Sequence, residues 1–553
     1  MRPLEMKILK SGSKGRLRAP GEGTERRILG MVGVLLAAAG AAATPARAQE
    51  INAPAAPAAP TAPAQVEEQR ALRTGGWHVT PQISVSETYS DNVAHVPSAS
   101  AQSGWMRSVA PGIRIDGAGA RVKGFFDYRL FNIVYANQSQ LNNNRNLLNS
   151  SATIEAVEDW LFVDARAIIS QQYRSAIGAV ANDTVSANSN RVETTTYQVS
   201  PYIRGRMSDI AAYRLRYNAT SGGSKDGAIP NTNTSEWAGR IKSAPSSAKL
   251  GWSVDGSALN VRNSTVGNRQ DARISGSLIY DIDPQLHVSI IYGHETTDYA
   301  SSTKQAFATP GFGFEWSPSQ RTQVSAVKEK RFFGDGHSLI FSHRTPLVAW
   351  KYTDSKDVSV MPNQIAASGL GTISGLMSDL LARSNPDPVA RAQAVNARLE
   401  QTGVSALTTA SGGVLTSSIF VTGSRVASVV LLGAINTVTL SLTQTDRQSI
   451  GLDTGTVNTF SSNSSFRQQG WNVAWAHRLT PLSTMTLMLS RLRTEALTVT
   501  SSESSQNIQN LIFSTQLSPR TFASVAARRT QFDNSVGGGF RENALVGTLT
   551  MRF

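Results

Sequence analysis

The chain has 553 residues, only 17% of them charged, with 44 Gly and no Cys. The missing cysteine excludes disulfide scaffolds, thiolate metal sites and cysteine nucleophiles. The formal charge of +14 is no nucleic-acid footprint, because residues 1–48 hold nine Lys/Arg against three Glu and the rest is spread thinly.

Basic residues run up to Arg27 and an apolar stretch follows, Ile28 to Gly40. Ala46-Arg47-Ala48 then matches a small-x-small cleavage site. Residues 1–48 therefore read as a secretory signal peptide, since the apolar core is shorter than the ~20 residues of a membrane helix. Residues 49–76 read as a linker. Their Ala/Pro tract, 52–64, stays extended over about 40 Å at ~3.1 Å per residue and buries no core.

From residue 77 to 553 the apolar period is two. Phe126, Tyr128 and Leu130 alternate with Asp127 and Arg129. Tyr213, Leu215 and Tyr217 alternate with Arg214, Arg216 and Asn218. Leu286, Val288, Ile290 and Tyr292 oppose Gln285, His287 and Ser289. Val438, Leu440 and Leu442 oppose Thr and Ser, and Leu511, Phe513 and Leu517 oppose Ile512, Ser514 and Gln516. A soluble sandwich also alternates. Here too few helical stretches exist to cover the apolar face, and Arg and Asp recur in mid-strand on the other.

Short turns are expected near 118, 159, 208, 246, 283, 318, 345, 435, 480 and 518, with longer Asn/Ser/Gly loops between them. The expected fold is all-β: a transmembrane antiparallel barrel of about 22 strands, within a range of roughly 18–22. Trp77, Trp105, Trp160, Trp316, Trp471 and Trp475 fall near strand ends, as an interfacial aromatic girdle requires. One segment, 360–418, breaks the pattern. Leu376, Leu380, Leu381, Val389, Val395 and Leu399 have helical spacing, and Asp387-Pro388 is a helix start, so a small helical insert is expected over the mouth or inside the lumen. The last strand carries Leu549, Met551 and the terminal Phe553 on one face. A terminal aromatic on a period-two strand resembles the assembly signal of bacterial outer-membrane barrels.

Three passages carry a closer resemblance: Pro81-Gln-Ile-Ser-Val-Ser-Glu87-Thr-Tyr-Ser-Asp-Asn-Val93 at the mature start, Asn385-Pro-Asp-Pro-Val-Ala-Arg391-Ala-Gln-Ala-Val395 in the helical insert, and Ala434-Ile-Asn436-Thr-Val-Thr-Leu-Ser-Leu442 in the strand after it. Together they resemble the outer-membrane protein family associated with the PEP-CTERM/exosortase system, over about residues 77–553. The resemblance implies the outer membrane of a Gram-negative bacterium and an exopolysaccharide biosynthesis locus, and brings no catalytic residues. Expected partners are outer-membrane lipid, the barrel assembly machinery, and exopolysaccharide with its periplasmic export proteins. No nucleic acid is expected, and the barrel is expected to be a monomer. A porin-like solute channel and a plugged structural or assembly barrel are the alternatives.

No enzyme, cofactor or metal site is expected. No zinc pair, nucleophile elbow or phosphate-binding glycine pattern occurs. His294 with Glu295 and Asp298 is the best acid/base candidate. His337-Ser338 are adjacent on a strand and point apart. Asp281 and Asp283 suit either calcium or a turn. The remaining interest is the polar face. Asp127, Arg129, Arg204, Arg214, Arg216 and Arg273 are expected to line the lumen, either favouring anionic solutes or pairing with acids to stiffen the wall.

Overall fold

The computed structural model describes residues 76–181, 183, 185–227, 229–244, 249–263, 267–360, 391, 394–395, 419–450, 465–497, 502–535 and 538–553. The expected signal peptide and nearly all of the linker lie outside these residues. So does most of the expected insert, of which Val360, Arg391, Ala394 and Val395 are described; the last three are helical.

The first strands are β1 (Trp77–Ser90), β2 (Gly104–Ala118), β3 (Val122–Tyr135), β4 (Asn143–Val157), β5 (Leu161–Tyr173), β6 (Arg191–Met207), β7 (Ala211–Ser224) and β8 (Thr232–Ser243). Next come β9 (Leu250–Asn263), β10 (Gly267–Asp283), β11 (Leu286–Thr297), β12 (Gln305–Ala308), β13 (Gly311–Ser319), β14 (Thr322–Arg331), β15 (Gly334–Arg344) and β16 (Val348–Ser359). The wall ends with β17 (Ile419–Leu432), β18 (Asn436–Ile450), β19 (Ser465–Arg478), β20 (Ser483–Ala496), β21 (Glu503–Ser518), β22 (Thr521–Asn534) and β23 (Phe540–Arg552).

Each strand pairs antiparallel with its chain neighbours, except that β12 and β13 do not pair with each other, and β1 pairs with β23 from Gln82↔Arg552 to Ser90↔Ala544, which closes the ring. The result is a closed antiparallel barrel of 22 wall positions. There are 23 strand segments because β12 and β13 share one position. Both pair with β11, and the break falls at Thr309-Pro310, where proline has no N–H to continue the ladder.

The expected short turns fall between strands, from 119–121 between β2 and β3 to 519–520 between β21 and β22, except that the one expected near 246 falls on 245–248, outside the described residues. The opposite end carries longer loops such as 91–103 and 136–142, but β14 and β15 are joined there only by Phe332-Phe333, with Gly334 at φ 97°. Such a tight hairpin needs a positive φ, which glycine adopts without a Cβ clash.

Alternation segregates the two faces. Ile274, Leu278, Ile290, Tyr292 and Phe312 are exposed on the outside, as are Leu549, Met551 and Phe553 on the closing strand. Trp77, Trp160, Trp252 and Trp316 are exposed near the turn end, and Trp105 packs on Tyr89 with ring centroids 5.2 Å apart near the loop end. Trp475 differs from that girdle: it is half-buried, and its indole N–H donates to Asn436 Oδ1 at 3.0 Å. No described helix is long and apolar enough to cross a membrane. An apolar outer band on a ring without edges needs none, because the strands pair their backbone groups with one another around the ring.

Candidate functional site

The bore begins with the seam that closes it. Ser90 Oγ donates to Glu542 Oε1 at 3.0 Å, and Asp91 Oδ1 accepts the backbone N–H of Asn543 at 2.7 Å. Asn92 Nδ2 donates to Arg541 O at 3.0 Å and Val96 O at 2.7 Å. His95 Nε2 lies 3.3 Å from Glu542, with its ring stacked on Phe540 at 4.6 Å. The Ser90-Asp91-Asn92 part of the Glu87–Val93 string is thus the clasp between the first and last strands.

The clasp extends into a strap. Between β5 and β6, the described residues 174–181, 183 and 185–190 fold inward. Tyr173, Ala176 and Val180 cluster with Phe466 of β19. Gln506 of β21 exchanges two hydrogen bonds with the backbone of Val180, whose N–H donates at 2.8 Å. Arg528 of β22 pairs with Asp183, donates to Ser186 Oγ at 3.0 Å, and donates to Glu542 Oε1 at 2.9 Å. Along the shorter way round the wall, β4, β3, β2, β1 and β23 separate β5 from β22. The strap therefore crosses the bore rather than following its rim. Its near side is tied by Tyr135 Oη to Val185 O at 2.7 Å and by Arg145 to Ser186 O at 3.2 Å.

A second apolar knot at the loop end joins Val261, Tyr299, Val360 and Ile419. Burial, reinforced by the carboxylates of Asp271 and Asp298, pushes the Tyr299 phenol well above its ordinary value and keeps it neutral.

Below the strap the inner wall has two characters. On β18–β22 it is neutral and covered: Thr439, Ser441, Asn472, Thr486 and Thr494 are all at most 3% exposed. Val395 is 2% exposed there and sits in a cluster with Ala474, Met488 and Ile512.

On β5–β10 the wall is cationic and open. Arg204, Arg214 and Arg240 stand directly opposite one another on β6, β7 and β8. One row deeper are Tyr202, Arg216, Ser257 and Arg273. Arg216 donates to Asp164 Oδ2 at 2.7 Å, Arg240 pairs with Asp255, and Arg273 reaches Glu329 on β14. Among the described residues Arg204 and Arg214 have no carboxylate partner. They lie over aromatic rings instead: Arg204 over Phe162 at 4.3 Å, Arg214 over Tyr202 at 4.7 Å, the two rings stacked at 5.1 Å. Arg214, Arg216, Arg240, Asp255, Ser257 and Arg273 line a recess of about 420 Å³.

The structure brings Arg204, Arg214, Arg216 and Arg273 together. Asp127 and Arg129 lie apart on β3 and pair with each other at 3.2 Å. Arg240 is absent from the sequence-based set, although its alternation with Trp237 and Ile241 marks it. The short, glycine-broken strand around it hid the signal.

The acid/base candidates do not converge. His294 is exposed on the outer face, while Glu295, beside it in the chain, is fully buried inside. Arg331 holds Glu295 at 2.5 and 3.0 Å, and Phe332 N donates to it at 3.2 Å. His337 lies 3.0 Å from Asp354. Asp283 accepts the Gln285 N–H at 2.7 Å, and Asp281 lies 2.5 Å from His287 Nδ1, so both serve the turn. Among the described residues no group of three or more His, Asp or Glu is placed to hold a metal.

No protein-family model matches the chain, and no curated protein is significantly similar to it. Solved structures share the barrel form at low similarity. The FrpB iron transporter from Neisseria meningitidis is 7% identical, with a TM-score of 0.45 over 88% of this chain and 84% of that one. A ferric enterobactin receptor from Pseudomonas aeruginosa is 8% identical, with 0.43 over 86% and 81%. The siderophore receptor PirA from the same organism is 9% identical, with 0.42 over 86% and 80%.

Proposed function

We propose that the chain is an outer-membrane transport barrel of a Gram-negative bacterium that serves the release of an acidic exopolysaccharide. The observation that carries this reading is the open cationic wall on β5–β10, set inside a ring whose outer face is apolar. Water-lined arginines favour anionic cargo, and the resemblance to PEP-CTERM/exosortase-associated barrels supplies the exopolysaccharide setting. The turn end, where β1 begins and β23 ends, faces the periplasm in this reading, so cargo meets the arginines before the strap. Leu549, Met551 and Phe553 serve recognition by the barrel assembly machinery.

Planar bilayer recordings and a gene deletion test the proposal together. The full mature chain is expected to give small, anion-selective currents that grow when Arg528→Ala and Gln506→Ala release the strap. Deletion is expected to lower secreted polymer. Cation selectivity, or unchanged polymer in the deletion strain, would overturn it. A plugged structural barrel is the second reading, favoured by the strap and by Val395 against the inner wall. It predicts no current even with the strap released.

A further inference from the structure

We propose that the arginines of β6–β8 form a binding site for a linear run of carboxylate-bearing sugar units, lying across the strands with Arg204 and Arg214 as its anchoring cations. The inference deepens the transport reading and rests on it for the direction in which cargo arrives.

Three features carry it. First, Arg204, Arg214 and Arg240 are register partners on neighbouring strands. Like charges placed directly opposite destabilise a sheet, and this wall keeps three in a row. Asp255 neutralises only Arg240. An anion supplied from outside would relieve the other two.

Second, the guanidinium planes are held. Arg204 lies over Phe162 and Arg214 over Tyr202, on two stacked rings. Arg216, also 5.1 Å from the Tyr202 ring, is fixed by Asn218 Oδ1 at 2.8 Å and by Asp164. A held guanidinium loses little freedom when its planar fork meets a carboxylate.

Third, the spacing fits a polymer better than a point charge. Neighbouring strands lie about 4.8 Å apart, close to the length of one pyranose unit. A chain running from β6 to β8 therefore meets one arginine per unit. The adjoining recess of about 420 Å³, with Ser257 and Ser275 in its lining, offers hydroxyl partners for the sugars.

The test is equilibrium titration of the full mature barrel in detergent with trigalacturonate, maltotriose and inorganic phosphate at moderate salt. Trigalacturonate is expected to bind at least tenfold more tightly than either of the others. The double variant Arg204→Gln/Arg214→Gln is expected to lose tenfold or more of that affinity. Arg107→Gln, which removes an outward-facing guanidinium, is expected to lose none. Assembly of each variant is checked by strand circular dichroism and by heat-dependent gel migration. Should the double variant not assemble, Arg214→Lys keeps the charge without the fork and is expected to lose at least threefold. Phosphate binding as tightly as trigalacturonate would reduce the site to a simple anion contact and overturn the proposal. So would undiminished binding in the assembled double variant, or in Arg214→Lys where that variant stands in for it. Binding without conductance would remove the transport reading and keep the site; conductance without selective binding would do the reverse.

Discussion

The β5–β10 and β18–β22 walls are built by the same alternation, yet their inner faces differ. The first carries Arg204, Arg214, Arg216, Arg240 and Arg273 around an open recess. The second carries buried Thr, Ser, Asn and Gln, with Val395 seated on Ala474, Met488 and Ile512. Charge is kept where water reaches the wall. Below the strap, where the wall is covered, it is neutral, because a covered charge without a partner costs far more than a covered hydroxyl. Below the strap the bore thus has a wet, cationic side and a packed, neutral side.

The largest expected effect tests the closure. Arg528 is the cation between Asp183 on the strap and the nearly fully buried Glu542 at the seam. Arg528→Ala takes the guanidinium from both acids, which costs about 3–5 kcal/mol for a buried pair broken from one side. The measurement is the temperature at which the compact, heat-modifiable gel band is lost. A variant as stable as the parent would mean that the clasp holds nothing.

On the covered wall, Val395→Ala and Met488→Ala should each destabilise. In a double-mutant cycle they should couple by about 1 kcal/mol, as residues in contact do. Strict additivity would show that Val395 does not rest there in solution.

The open wall should respond in the opposite sense. Arg204→Gln removes a like-charge neighbour of Arg214 and strands no acid, so stability should stay level or rise by about 0.2–1 kcal/mol. Arg216→Gln, which leaves Asp164 without its guanidinium, should fall by about 1 kcal/mol. Equal losses at both positions would erase the distinction between paired and unpaired arginines.

The smallest stability effect, with a sharp functional one, is expected from Arg214→Glu against Thr439→Val. In bilayers the first should weaken or invert anion preference. The second, on the covered wall, should leave ion preference unchanged.

Much of this was legible in the sequence, for a local reason. In a strand, side chains point alternately to two faces, so Tyr213-Arg214-Leu215-Arg216 announces an apolar and a polar side without any knowledge of neighbours. Turn chemistry is equally local, and Asp281-Ile-Asp283-Pro284 and Leu517-Ser-Pro519 mark chain reversals by themselves. The pairing of β12 and β13 in one wall position was less visible, since Pro310 reads as a break and says nothing of which strand lies alongside. The tight loop-end hairpin at Phe332-Phe333 was hidden by the longer loops around it.

The sequence by itself determined the two-faced strands, the turns and the need for a closed ring, because each follows from residues within a few positions of one another. Only the tertiary structure decided which arginines find acids. Arg216 meets Asp164 across an intervening strand, Arg273 meets Glu329 on β14, and Arg204 and Arg214 meet none among the described residues. It alone sent the strap from β5 across to Gln506 and Arg528. Charge partners and bore crossings depend on how the ring brings distant strands within a few ångströms of each other, and that distance is a property of closure rather than of any one strand.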